Sequence, residues 1–454
     1  MYAMWGRLLM PADCTCGCCN ALPTDAPALQ VTNEPQSTEA VPIVNLAAGL
    51  RAPESETRTQ AAAAMLELAA TPRLRRFIAV VLLPDLLRLL GDALHPRGQG
   101  MAASVAGTLA IEPELSQLVA ARALPGLVML AGDASAPAGR LPAAEALYVM
   151  ATHASLMQPL AAVSLPALVS LLEDASSPAG GYWAAGTLHH LATAPELRRP
   201  IANQALPALA SLLEATGNPG GQRRAAGALS ELALDPDLKQ PIAQAALPGL
   251  LDLLEDTSRF GGRRRAAEAL WGLAEDPELQ PPVAGAGLPG LGSLLEDVTN
   301  PEGRRMAANA VSQLAENPEL AQAIADLALQ GLVSCLDSGV ESLCSGSVID
   351  ALRSLAQVPS LQQRVADEAL PALVRVIEEP PTGVCRCQAA SMLCTLADAP
   401  ALGQQILDTA LQALAGLLQD ASDSTGKLDI TTTLQKLACI PALRQQIAEH
   451  KVEL

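Results

Sequence analysis

Apolar residues in this chain come in blocks, and the blocks are separated by short polar breaks. From Leu206 to Ala246 the sequence divides into LPALASLLEA, a break TGNPGG, then QRRAAGALSELA, and a shorter piece DPDLKQPIAQAA. Within each piece the apolar residues recur three and four apart, which predicts amphipathic helices, and the Gly, Pro and Asn clusters predict turns. No segment alternates with period two, so essentially no sheet is expected. Proline suits the first turn of a helix, where its missing N–H would have no partner. Pro207 is therefore expected to open one helix, and Pro236 the short one. Asp235, Asp276 and Asn317 stand just before such prolines as N-caps, with Asp237, Glu278 and Glu319 following where the helix dipole favours a carboxylate.

The three-piece block repeats. A Leu-Pro step places proline at 84, 125, 166, 207, 248, 289 and 371, with Gln330 and Gln412 in the same phase, a spacing of 41 residues. A second marker, Pro-x-Leu, keeps that spacing from Pro72 to Pro441 and loses its proline only at Ala154. Two markers in fixed register define about ten units, the first starting near Val41. Residues 1–40 form a separate tail, and residues 41–454 form the repeat domain.

Composition changes this picture in three respects. The chain has 454 residues and half are hydrophobic, yet it holds only 3 Trp, 3 Tyr and 2 Phe. Its buried surface must therefore come from close contact between Ala-, Leu- and Val-rich helices. The formal charge of −18 argues against nucleic acid or an anionic membrane surface as a general partner. No uninterrupted apolar run approaches the roughly 18 residues of a membrane span, so none is expected. The ten cysteines are scattered over a long chain and read as reduced thiols of a cytosolic or nuclear protein.

A three-helix unit of 41 residues carrying PEL…ALPAL(V)xLLED…AAxALxxLA resembles the armadillo repeat of the armadillo and beta-catenin family. The resemblance runs over residues 41–454 and implies an all-α, right-handed superhelical solenoid. In that family the last helix of each repeat lines a concave groove for extended peptides. The implied function is a non-enzymatic protein-interaction scaffold without cofactors, elongated and monomeric. Two departures stand out: Ala usually replaces the Gly expected before the second helix, and the unit around Leu329 has a polar turn, SGVESLCSGS, without proline.

Comparing equivalent positions separates packing from surface. In the groove helices Leu188, Leu229, Leu270 and Leu352 share one column, and Leu191, Leu232, Leu273 and Leu314 another; both are expected in the core. Ala185, Ala226, Ala267 and Ala308 form a small-residue column that lets helices approach. Other columns change identity and lie on one helical stripe. One includes His190 and Glu231, the next Gly186, Gly227 and Glu268, and a third Trp183, Arg224 and Arg265. With Trp271 these make the candidate partner-binding set: Trp183, His190, Arg224, Glu231, Arg265, Glu268 and Trp271. Its mixture of rings, arginines and carboxylates points to an extended peptide of mixed charge.

In the peptide-binding armadillo proteins that this array resembles, the first two columns hold an Asn ladder and a row of Trp. Here the first has no Asn and the second no Trp. The alternative, an importin-alpha-like nuclear transport adaptor with a degenerate groove, is disfavoured on that ground. Arg223, Arg264 and Arg305 recur at the repeat spacing, as do Glu173, Glu214, Glu255 and Glu296 at the preceding helix ends. Both sets oppose the helix dipoles, so they are expected to face each other across the turn, with an acid-binding Arg patch as the other role.

No catalytic constellation, phosphate-cradling glycine motif or metal-ligand spacing is present. Cys14, Cys16, Cys18 and Cys19 are too crowded for a zinc knuckle. They are candidates for S-acylation, the one route by which a membrane becomes a partner. Residue 2 is Tyr, so N-myristoylation is not expected.

Overall fold

The computed structural model describes residues 45–257, 260–337, 345–378, 383–419, 424–439, 444 and 447. The tail 1–40, with its four cysteines, lies outside the described residues. Every regular element among the described residues is a helix, as the block pattern predicts. Within each of two compact units, a helix from one repeat packs against its counterpart in the next repeat and against the long helix that follows it. The architecture is an all-α solenoid.

The helices group into two compact units that meet in the sequence at Leu171 and Leu172. In the first, Pro96–Ala110 packs against Pro137–Ala151, with Pro113–Gly132 against both. In the second, the helices Pro178–Ala192, Pro219–Leu232, Phe260–Ala274 and Pro301–Leu314, those expected to line the groove, pack in sequence order, and Ser345–Ala356 follows. Between them run the long helices Pro195–Glu214, Lys239–Glu255 and Gln280–Glu296. Leu188, Leu229, Leu270, Leu191, Leu232 and Leu273 are fully buried, as are Ala185, Ala226 and Ala267.

The three pieces of each block are all helical, but two are joined. Pro195–Glu214 runs unbroken through Pro200 and Pro207, and Lys239–Glu255 through Pro248. A proline inside a helix costs one backbone bond, and burial of the apolar residues on both sides of it outweighs that loss. One unit behaves otherwise: Pro318–Leu327 and Leu329–Leu336 break at Ala328 and differ in direction by 70°. The joining also corrects the expectation about membrane spans. Pro113–Gly132 and Ala154–Glu173 are each long and apolar enough to cross a membrane by length and composition, and half of each apolar window is buried in the protein. Polar residues such as Arg122 and Gln158 interrupt the two segments, so neither shows in the sequence as one apolar run.

Helix starts follow local chemistry. Pro178, Pro219 and Pro301 open their helices, capped by Ser177, Asn218 and Asn300. Asn218 and Asn300 accept from the N–H groups of Gly221 and Gly303 at 2.8 and 2.9 Å. A Cβ on either glycine would lie 2.4 or 2.5 Å from the capping amide, so only glycine leaves room for the cap. The expected caps also form, with Asp235, Asp276 and Asn317 accepting from Asp237, Glu278 and Glu319 N–H.

Arg264 and Arg305, expected to face the preceding helix-end glutamates, pair instead with Glu302, and the arginines beside their column turn inward. Arg263 and Arg304 are buried, 2% and 6% exposed. Their Nε atoms donate to the carbonyls of Leu254 and Leu295, at 2.8 and 2.7 Å, near the end of the preceding helix. Gln222 donates to Leu213 O in the same phase, as does Arg140 to Ala131 O in the first unit. The guanidinium groups thus fill the acceptors that a helix C-terminus leaves open. Arg263 reaches on to Ser293 Oγ and Asp297 in the next repeat. A second ladder closes the groove helices: Arg198 donates to Ala192 O and Gln280 to Ala274 O, each at 3.1 Å.

Candidate functional site

Three neighbouring groove helices of the second unit, Pro178–Ala192, Pro219–Leu232 and Phe260–Ala274, bring most of the candidate residues together. The positions between the buried Leu and Ala columns are left without a packing role, and their side chains meet across helix boundaries. Arg224 Nη2 donates to Tyr182 Oη at 2.6 Å. Its guanidinium carbon lies 4.1 Å from the Tyr182 ring centre and 5.8 Å from that of Trp183. The two rings meet edge-on with centroids 4.9 Å apart. Such cation–π stacking is worth roughly 0.5 to 2 kcal/mol, according to how far the site is desolvated.

Glycine makes this stack possible. A Cβ on Gly186 would stand 2.3 Å from Arg224 Nη1, so the arginine occupies a hollow that a larger residue would fill. Gly227 makes a shallower hollow, where a Cβ would meet His189 Nδ1 at 3.3 Å and Arg265 Nε at 3.5 Å. The rings of His189 and His190 lie 5.5 Å apart. Burial lowers the proton affinity of both imidazoles, and the positive charges of Arg224 and Arg265 lower it further. Both therefore favour the neutral form more than an exposed imidazole does.

Arg265 Nη1 donates to Glu268 Oε2 at 2.7 Å. Glu231, half-buried one helix away, has its carboxyl pushed up, first by burial and then by Glu268. Arg198 and Arg265 oppose that shift. Trp183 with Arg224 and Arg265 with Glu268 thus make direct contacts, and His190 and Glu231 lie close enough to feel the charges around them. Trp271 is half-buried on the Phe260–Ala274 helix, one turn after Glu268. Tyr182, Gly186 and His189 belong to the network but were not singled out as partner-binding by the sequence. The signal for Tyr182 was its place in the Arg223 column, where the next three repeats carry arginine.

The network offers rings, forked donors and carboxylate acceptors on a surface, which suits recognition. Among the described residues, no three His, Cys, Asp or Glu side chains come close enough together to hold a metal ion.

No family model matches the sequence, and no curated protein matches it. Solved structures do. The chain is similar to the crystal structure of an engineered protein from the Northeast Structural Genomics Consortium, with a TM-score of 0.74 and 25% identity over 87% of this chain and 98% of that one. It is also similar to a chain in a structure concerning a phosphorylation switch that controls the interaction between cadherin and beta-catenin. There the TM-score is 0.66 and the identity 17%, over 90% of this chain and 85% of that one. At that identity the likeness establishes the fold, an all-helical repeat solenoid.

Proposed function

We propose that the protein is a non-enzymatic interaction scaffold of the armadillo type, and that it holds an extended segment of a partner protein against the Pro178–Ala192, Pro219–Leu232 and Phe260–Ala274 helices. The observation that carries this is the Tyr182–Arg224–Trp183 stack over Gly186. Aromatic rings and a forked cation are gathered at positions that the Leu and Ala core does not use, and these residue types dominate interface energies. The armadillo-like neighbour in the cadherin and beta-catenin structure supports a protein as the ligand. Trp183, His190, Arg224, Glu231, Arg265, Glu268 and Trp271 are the contacts.

A photo-crosslinking residue placed at His190 should capture the partner in the native host, and one at exposed Gln322 on a short helix should not. The opposite result would move binding to the other face. The same proposal places the protein in the cytosol or nucleus as a monomer. Membrane attachment then depends on acylation of Cys14, Cys16, Cys18 and Cys19. Hydroxylamine-sensitive lipid on the wild type, lost when all four become Ser, checks that point.

A further inference from the structure

The groove helices of the second unit carry their charges in an order that helices disfavour. Arg223, Arg264 and Arg305 lie early in three successive helices, and Glu231, Glu275 and Glu316 lie at or just past the ends of the same three. A cation at the positive end and an anion at the negative end of a helix are each destabilising. The helix dipole gives no reason for this order.

Local pairing offsets only part of it. Arg264 and Arg305 share Glu302, at 3.7 and 2.9 Å, and Glu275 takes Lys239 at 2.7 Å. Arg223 is exposed, and its stem lies along the start of the next groove helix, where a Cβ on Gly261 would meet its Cδ at 2.9 Å. Glu316 accepts from Gln313, in the same column as Glu231. Across the three helices one edge is thus richer in guanidinium and the other in carboxylate. The two edges are eight residues apart along the first of these helices and eleven along the other two, roughly 12 and 16 Å at 1.5 Å per residue.

A chain in extended conformation passing between the two edges points successive side chains to opposite sides, one set toward each edge. We infer that the bound segment is an extended peptide in which acidic and basic residues alternate, its acidic side chains facing Arg223, Arg264 and Arg305 and its basic side chains facing Glu231, Glu275 and Glu316. This rests on the groove reading above and adds the pattern by which the partner is recognised. Charge complementarity fixes register and excludes wrong partners, so a run of one sign fits this surface poorly.

Labelled synthetic peptides of about ten residues are long enough to pass three helices at roughly 10 Å each. Titrating the full-length protein with alternating Glu-Lys and with a block peptide of five Glu then five Lys, by fluorescence anisotropy at low salt, tests the pattern. The alternating peptide should bind at least about fivefold more tightly. Arg223→Glu, at an exposed position, should abolish much of that preference while the helical circular dichroism stays the same. Equal binding of the two peptides, no binding of either, or indifference to Arg223→Glu would each overturn the inference. If the native partner still crosslinks at His190 in that case, the groove reading survives and only the charge pattern fails.

Discussion

At the scale of single residues, the site is defined by what the glycines permit. Gly186→Ala should force Arg224 out of its hollow, since the clash is with the tip of a flexible side chain. Stability should change by less than about 1 kcal/mol, because the guanidinium can swing into solvent. Trp183 should report the loss of its cation as a change in fluorescence, which is the readout. The two histidines give a pH dependence of fixed sign. Their folded proton affinity is lowered, so the unfolded chain binds protons first and stability falls as pH drops below the usual imidazole value of about 6.5. Glu231, whose carboxyl is pushed up, works in the other sense, gaining as pH falls through its raised value. Melting temperatures from pH 7.5 to 5.5 should fall in the wild type, and fall less in His189→Gln. Equal slopes would show that His189 does not titrate in that window.

At the scale of helices, the buried Arg and Gln ladder joins each long helix to the groove helix after it. Arg263→Met keeps volume but leaves the Leu254 carbonyl without its donor, and should cost about 1 to 3 kcal/mol. Chemical denaturation measures it. An equal change from Arg264→Met, whose side chain is only partly buried, would contradict the structural role assigned to Arg263. This ladder was only half legible in the sequence. The recurrence of arginine was plain, but whether a guanidinium turns to a carboxylate or to an open carbonyl depends on where the preceding helix ends. Joined helices were missed for a related reason. Proline marks a probable boundary, and burial on both sides of Pro207 and Pro248 outweighs that local signal. The core columns were legible because repeats compare the chain with itself: Leu229 and Ala226 lie where the periodicity puts them. The network at Arg224 was legible by residue type and not by partner, since nothing in a linear pattern shows that Tyr182 and Gly186 meet it from the neighbouring helix.

At the scale of the whole molecule, a chain of repeats that touch mainly their neighbours has stability that varies along its length. The unit from Leu329 to Ala369 follows directly on the 70° break at Ala328 and contains the turn lacking proline, most of which lies outside the described residues. Its amides should exchange with solvent faster than those of Leu206–Ala246, measured by hydrogen exchange on the intact protein. The central claim, that a partner segment lies on the groove helices of the second unit, is tested most directly by calorimetric titration. The titrant is the partner recovered by crosslinking, and the proteins are the wild type and the double variant Trp183→Ala, Arg265→Ala. The account predicts at least about tenfold weaker binding by the variant with unchanged helical content, since truncating each anchor costs about 1 kcal/mol or more. Unchanged affinity in that variant, with loss instead on altering Gln322 and Arg364 on the other helices, would contradict it.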